Sequence, residues 1–326
     1  MANPATSIVN PAGEEILLFF VDGDKRLALQ EIPIDPEQPM FDYDPLTTPG
    51  GSHITNQSIA AVSLRGLPVV FGQIEITTGS GDAVKKSRVL AQLSPIVKVM
   101  AGKKPEETTF DENQNAFAAI SNQQGDKVGT HAWCYFIKNR SKEGTAVKLG
   151  LQEASLIGNS VKVHHFSDQE IPSDLMPGTT SRLAALYLDT NHREVYYQVE
   201  DPKSHSIYCY RIGSSNPPMK IPGTSYAMPG TPIAVTKSKA GNVYLYYLSK
   251  PGSEGYANIQ RTDRVNSEWQ ATASVKSEFD FAVSTVLETQ LAVTQVAVKD
   301  KLQNTVFYLG SSDEQYKPIR DKGEIK

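Results

Sequence analysis

The chain has 326 residues, 39% of them hydrophobic, and its 32 basic and 36 acidic residues give a formal net charge of −4. That is enough apolar material for a large core. With neither sign of charge gathered into long blocks and no apolar run of membrane-spanning length, neither a nucleic acid nor a membrane is expected as a partner.

The first residues, Met1 to Thr6, have neither the charged start nor the apolar stretch of a secretory signal. The run Ile16 to Val21 is short and follows Glu14-Glu15, so a cytoplasmic protein is expected. Ile8-Val9 then opens a series that recurs along the chain as Ile59-Ala60-Ala61, Phe117-Ala118-Ala119, Leu183-Ala184-Ala185, Ile233-Ala234-Val235 and Leu291-Ala292-Val293. The leading positions are about 50 to 66 residues apart, the period of propeller blades rather than of helical repeats.

Each member of the series is followed by a strand of large apolar or aromatic residues. In chain order these are Ile16 to Val21, Val69 to Phe71, Trp133 to Ile137, Val195 to Tyr197, Val243 to Tyr247 and Val306 to Tyr308. A third, alternating strand follows a polar turn: Arg26 to Ile32, Arg88 to Leu93, Val147 to Leu151, Ser206 to Ile212, Ala257 to Arg261 and Lys317 to Arg320. The first of these turns, Asp22-Gly23-Asp24, reads as a hairpin. Fourth strands are expected near Met40 to Tyr43, Ile96 to Met100, Val161 to Phe166 and Glu268 to Ala273.

Small residues suit the innermost strand, because sheets that converge on an axis leave it the least room while bulky side chains fill the wider space between blades. The expectation is therefore an all-β, six-bladed β-propeller that uses residues 1–326 as a single domain. The assembly is left open, with a homodimer among the options.

Chemistry-bearing motifs are sparse. The sequence has no P-loop, dinucleotide fingerprint, GxSxG elbow, HExxH or CxxC. Cys134 and Cys209 sit in apolar runs and read as buried thiols. His164 and His165 are strand neighbours that point to opposite faces, so no shared metal is expected, and no cofactor is called for.

In a propeller, the turns leading into the inner strands and those between second and third strands gather at one mouth of the central tunnel. The leading turns are rich in polar and aromatic groups: His53, Asn56, Arg182, Tyr226 and Asp280, walled by Phe279, Phe281 and Met228. A few polar groups in an apolar funnel is the usual composition of a small-molecule site. His53 suits proton transfer by its reference pKa.

The phrases Pro177-Gly178-Thr179-Thr180-Ser181-Arg182-Leu183-Ala184-Ala185, Glu194-Val195-Tyr196-Tyr197-Gln198 and Ser206-Ile207-Tyr208 resemble one blade of the fungal fucose-binding lectins. Met228-Pro229-Gly230-Thr231-Pro232-Ile233-Ala234-Val235 with Asn242-Val243-Tyr244 resembles the next. The resemblance implies six blades with sugar sites between them. That family's Ile-Arg-Glu-like step is approached only at Ile319-Arg320-Asp321, and there are two tryptophans, Trp133 and Trp269. A single sugar pocket near Arg320 is what the lectin resemblance leaves.

A lectin-like propeller without the repeated sugar residues is also similar to the hetero-Diels-Alderases of tropolonic sesquiterpenoid biosynthesis. That resemblance implies cofactor-independent dehydration of a tropolone precursor to a quinone methide, then its stereoselective addition to a humulene-type terpene. His53 or Asp280 would move the proton, Arg182 and Tyr226 would hold the tropolone oxygens, Phe279 and Phe281 would pack the terpene, and Asn56 would line the mouth. A non-catalytic lectin and a protein-interaction propeller with an exposed apolar face are the alternatives.

Overall fold

A computed structural model describes residues 4–10, 15–35, 37–38, 44–45, 53–55, 58–78, 85–110, 116–123, 127–139, 149–158, 160–189, 192–199, 204–251, 257–275, 290–298, 301–310 and 315–321. They form six antiparallel sheets, one per sequence repeat, with short 3-10 turns as the helical segments among the described residues. The innermost strands are Ala5–Val9, Ala60–Leu64, Phe117–Ser121, Ala184–Asp189, Ile233–Lys237 and Ala292–Val298. Each neighbours the next in cyclic order, and the last returns to the first. The fold is a six-bladed β-propeller.

One register rule repeats in every blade. An inner-strand alanine lies directly opposite a ring of the second strand: Ala5 faces Phe20, Ala60 faces Phe71, Ala118 faces Tyr135, Ala184 faces Tyr196, Ala234 faces Tyr246 and Ala292 faces Phe307. All twelve are buried. The alanine lets blades approach at the axis, and the ring fills the space that opens as they splay.

The core is accordingly divided by seam. Among the described residues, six hydrophobic clusters lie between consecutive blades, from Leu17, Phe19, Ile54 and Val70 between blades one and two to Ala5, Phe20, Ala292 and Phe307 between blades six and one. The ring closes by this last packing and by the 2.6 Å hydrogen bond between the hydroxyls of Ser7 and Thr294.

The second strands fall where the aromatic runs predict. The third strand of blade three runs over Leu149–Ile157, and of the predicted run Val147 to Leu151 only Leu149 to Leu151 lies within the described residues. Outer strands appear at Lys98–Val99, Ser160–His165, Glu268–Trp269 and Ala273–Ser274, near the expected places. Met40 to Tyr43 lies outside the described residues, and Asp44–Pro45 supplies the fourth strand of blade one. Met219–Lys220, the fourth strand of blade four, gave no sequence signal because a two-residue exposed strand has no period to read. Asp22 closes its hairpin by accepting the amides of Asp24 and Arg26, each at 2.9 Å.

Candidate functional site

At the leading-turn mouth, the residue two places before the inner-strand alanine is Ser58 in blade two, Arg182 in blade four and Gln290 in blade six. In blades three and five it is Ala116 or Pro232. The polar members of this alternation meet one another. Arg182, 6% exposed, donates from Nη1 to the Ser58 hydroxyl at 3.4 Å. The Gln290 side-chain amide pairs with the backbone of Ile59, its Oε1 accepting at 3.1 Å and its Nε2 donating at 3.3 Å. The Gln290 backbone donates to the Tyr316 hydroxyl at 3.1 Å. Burial pushes the Tyr316 phenol up, against the pull of that amide and of the Arg182 charge. The three alternate blades are thereby tied together, with Arg182 buried among them.

Of the residues expected to line this mouth, Arg182 is there. Tyr226 ends a 3-10 turn, Thr224–Tyr226, and is 75% exposed. His53 belongs to a short strand, His53–Ile54, opposite Glu75 on the far half of the second strand of blade two, rather than to a turn. Asn56, Phe279, Asp280 and Phe281 lie outside the described residues. Met228 is buried in the cluster between blades five and six, and its carbonyl accepts from Gln198 at 3.1 Å. Arg320 sits at the seam of blades six and one, where Nη2 donates to the Ile34 carbonyl at 2.8 Å. Desolvation lowers its pKa, with Asp35 opposing.

A second polar arrangement was not foreseen. The rings opposite the inner alanines are Phe in blades one, two and six but Tyr in blades three, four and five, and near each tyrosine an Arg meets a carboxylate across the seam. Between blades five and six, Tyr246 donates to Asp321 at 2.7 Å and Arg261 reaches the same oxygen at 2.6 Å. Between blades three and four, Arg193 meets Glu153 at 3.2 Å and lies 4.4 Å over the Trp133 ring. The phenylalanine-to-tyrosine change at one register position was the available sequence signal.

The fullest cluster joins blades four and five. Glu194, 1% exposed, receives both Nη atoms of Arg264 at 2.8 Å, the Arg211 Nη2 at 2.9 Å and the Tyr196 hydroxyl at 2.6 Å. Burial alone would raise its pKa, but the bonds from Arg264, Tyr196 and Arg211 together hold the carboxylate below its usual range. Arg264 lies 5.3 Å over Trp269. In front of this cluster is a cavity of about 360 Å³ whose lining includes Asp189, His192, Arg211, Lys237, Arg264 and Ser267. It opens on the face of the turns between first and second strands, opposite the predicted mouth. Asp189 and His192 flank such a turn and pair through Nδ1 at 2.8 Å.

Cys134 and Cys209 are buried free thiols, and burial pushes both pKa values far up, which removes thiolate chemistry at neutral pH. No group of three His, Cys, Asp or Glu residues fit to hold a metal occurs among the described residues.

The fold has close counterparts among solved structures. The fucose-specific lectin of Aleuria aurantia superposes with a TM-score of 0.64 over 98% of this chain and 91% of that one, at 13% identity. AofleA of Arthrobotrys oligospora gives 0.59 over 97% and 86%, also at 13%. The chain has the fold of the fucose-specific lectins. No protein-family model matches it. In sequence it is similar to two proteins named wall-associated proteinase. The one from Coccidioides posadasii is 26% identical over 98% of this chain and 96% of the relative, and the one from Coccidioides immitis is 25% identical over the same shares.

Proposed function

We propose that this propeller is a glycan-binding protein whose ligand enters the cavity between blades four and five. The observation that carries the reading is the Arg211–Glu194–Arg264 cluster at that cavity. Two guanidinium groups are fixed by a buried carboxylate, so their donors are ordered before any ligand arrives. Planar donors held in place suit the paired hydroxyls of a sugar. The sugar binding named for the Aleuria lectin, on the same fold, supports the reading.

The test is a glycan array that includes fucosylated oligosaccharides, followed by calorimetry on whatever binds. Arg211→Ala should weaken binding about tenfold or more, the worth of one charge-assisted hydrogen bond. The fold should survive, because Arg264 and Tyr196 still hold Glu194. An array without a bound glycan would overturn the reading.

The second reading is the cofactor-independent hetero-Diels-Alderase. Its support is the place of Arg182 among the leading turns, where its guanidinium donates to the Ser58 hydroxyl, an acceptor position that a tropolone oxygen would have to take over. Incubation with a hydroxymethyl tropolone precursor and humulenol, against an enzyme-free control, tests it by mass spectrometry: one adduct stereoisomer should form faster. Equal rates and isomer mixtures would dismiss it.

The name of the two Coccidioides relatives raises a hydrolytic reading. Ser267 shares the cavity with the Asp189–His192 pair, but no hydrogen bond joins Ser267 to His192, so a nucleophile–base contact is not formed. Casein hydrolysis lost in Ser267→Ala would be needed to revive it.

A further inference from the structure

We propose that the cavity between blades four and five selects a sugar bearing a carboxylate, a uronic-acid residue, with Lys237 as the group that recognises the acid. The inference rests on the glycan-binding reading and specifies its ligand class. It starts from the charge around the cavity. Arg211, Arg264 and Lys237 line it against one carboxylate, Asp189. The two arginines already share Glu194 behind the wall.

Lys237 differs from them. Its stem comes from the inner strand of blade five, and Nζ donates to the Leu188 carbonyl at 2.7 Å and lies 5.9 Å from the centre of the Tyr187 ring. Among the described residues no carboxylate forms an ion pair with it. Burial lowers its pKa, with the more distant Asp189 opposing. A carbonyl and a π face are neutral partners, so this half-buried ammonium has no carboxylate in contact with it, and Asp189 acts on it only from beyond ion-pair distance. A ligand carboxylate would supply it, and a carbonyl acceptor leaves further ammonium hydrogens to donate. Asp189, tied to His192, follows the residue whose carbonyl holds Lys237, so its charge is felt at the same end of the cavity and disfavours a second acid group, which suits one carboxylate on an otherwise hydroxylated ring.

The experiment titrates the full chain with tri-galacturonate and with its methyl ester, which keeps every hydroxyl and removes the charge. Tri-galacturonate should bind at least about tenfold more tightly. Lys237→Met should abolish that preference and Lys237→Arg retain it, with thermal melting confirming that both variants fold; should Lys237→Met not fold, Arg211→Gln, at a half-exposed position, should reduce the preference instead. Equal affinity for acid and ester would overturn the inference and leave the glycan reading to stand on the array. Failure of both to bind, beside an array that finds a neutral glycan, would also overturn it. Failure of both with an empty array would remove the inference and the reading together. A preference for the acid that survives both Lys237→Met and Arg211→Gln would place the acid elsewhere and overturn the assignment.

Discussion

Two buried glutamates in this chain respond to burial in opposite ways, and their neighbours explain it. Glu194 is surrounded by donors, and Arg264, Tyr196 and Arg211 outweigh desolvation, so its pKa is lowered. Glu153 has Arg193 alone at ion-pair distance, and desolvation wins, so its pKa is raised. The linkage signs follow. Glu194 contributes stability that is present above the ordinary glutamate range and lost as pH falls through its depressed value. Glu153 contributes stability present below its ordinary value and lost as pH rises through the raised one. Glu194→Gln leaves Arg264 without its counter-charge and should cost about 3–5 kcal/mol at neutral pH. Denaturant titrations at stepwise lower pH should show the gap from wild type narrowing. A gap that stays constant down to acid unfolding would contradict this account of Glu194.

At the scale of the strand, the alanine-opposite-ring rule makes a directional prediction. Ala234→Leu adds bulk where blades approach the axis, at a residue 5% exposed and paired with Tyr246, and should cost about 1–3 kcal/mol by overpacking. Tyr246→Phe keeps the packing and removes the hydroxyl that donates to Asp321 and accepts from Asn304, each at 2.7 Å, and should also cost about 1–3 kcal/mol. Chemical denaturation midpoints of the two variants measure both. The blade order, the second strands and five inner strands were legible in sequence, because small residues followed by an aromatic run is a pattern carried by a few adjacent positions; in blade one Ile8-Val9 marked only the end of the strand Ala5–Val9, whose alanine opposite the ring, Ala5, lies three places earlier. Short outer strands such as Met219–Lys220 were not, since two residues that pair only at an edge leave no periodic trace.

For the whole molecule, each blade shares its core with both neighbours, and the first and last blades meet through Ala5, Phe20, Ala292 and Phe307. Unfolding should therefore be a single cooperative transition. Removing residues 1–9, which deletes the strand Ala5–Val9, should abolish that transition rather than release one blade. Calorimetry of the truncated chain checks it, and a retained main transition of near-native enthalpy would show that closure is dispensable.

Sequence by itself determined the architecture: six repeats, with an alanine-bearing inner strand in five of them and a ring-bearing second strand in each. These follow from local alternation and a fixed period. It also singled out Arg182, though as a group facing a ligand in an open funnel. Only the tertiary structure decided that Arg182 is buried against Ser58, 124 residues away, with Gln290 pairing to Ile59 from 231 residues away. Likewise, Glu194 meets an arginine 70 residues distant, at a cavity on the opposite face from the predicted mouth. The physical reason is common to these cases. Which polar side chains meet depends on how separate turns and strands are aimed by the closed ring, and no local spacing encodes that sum of directions.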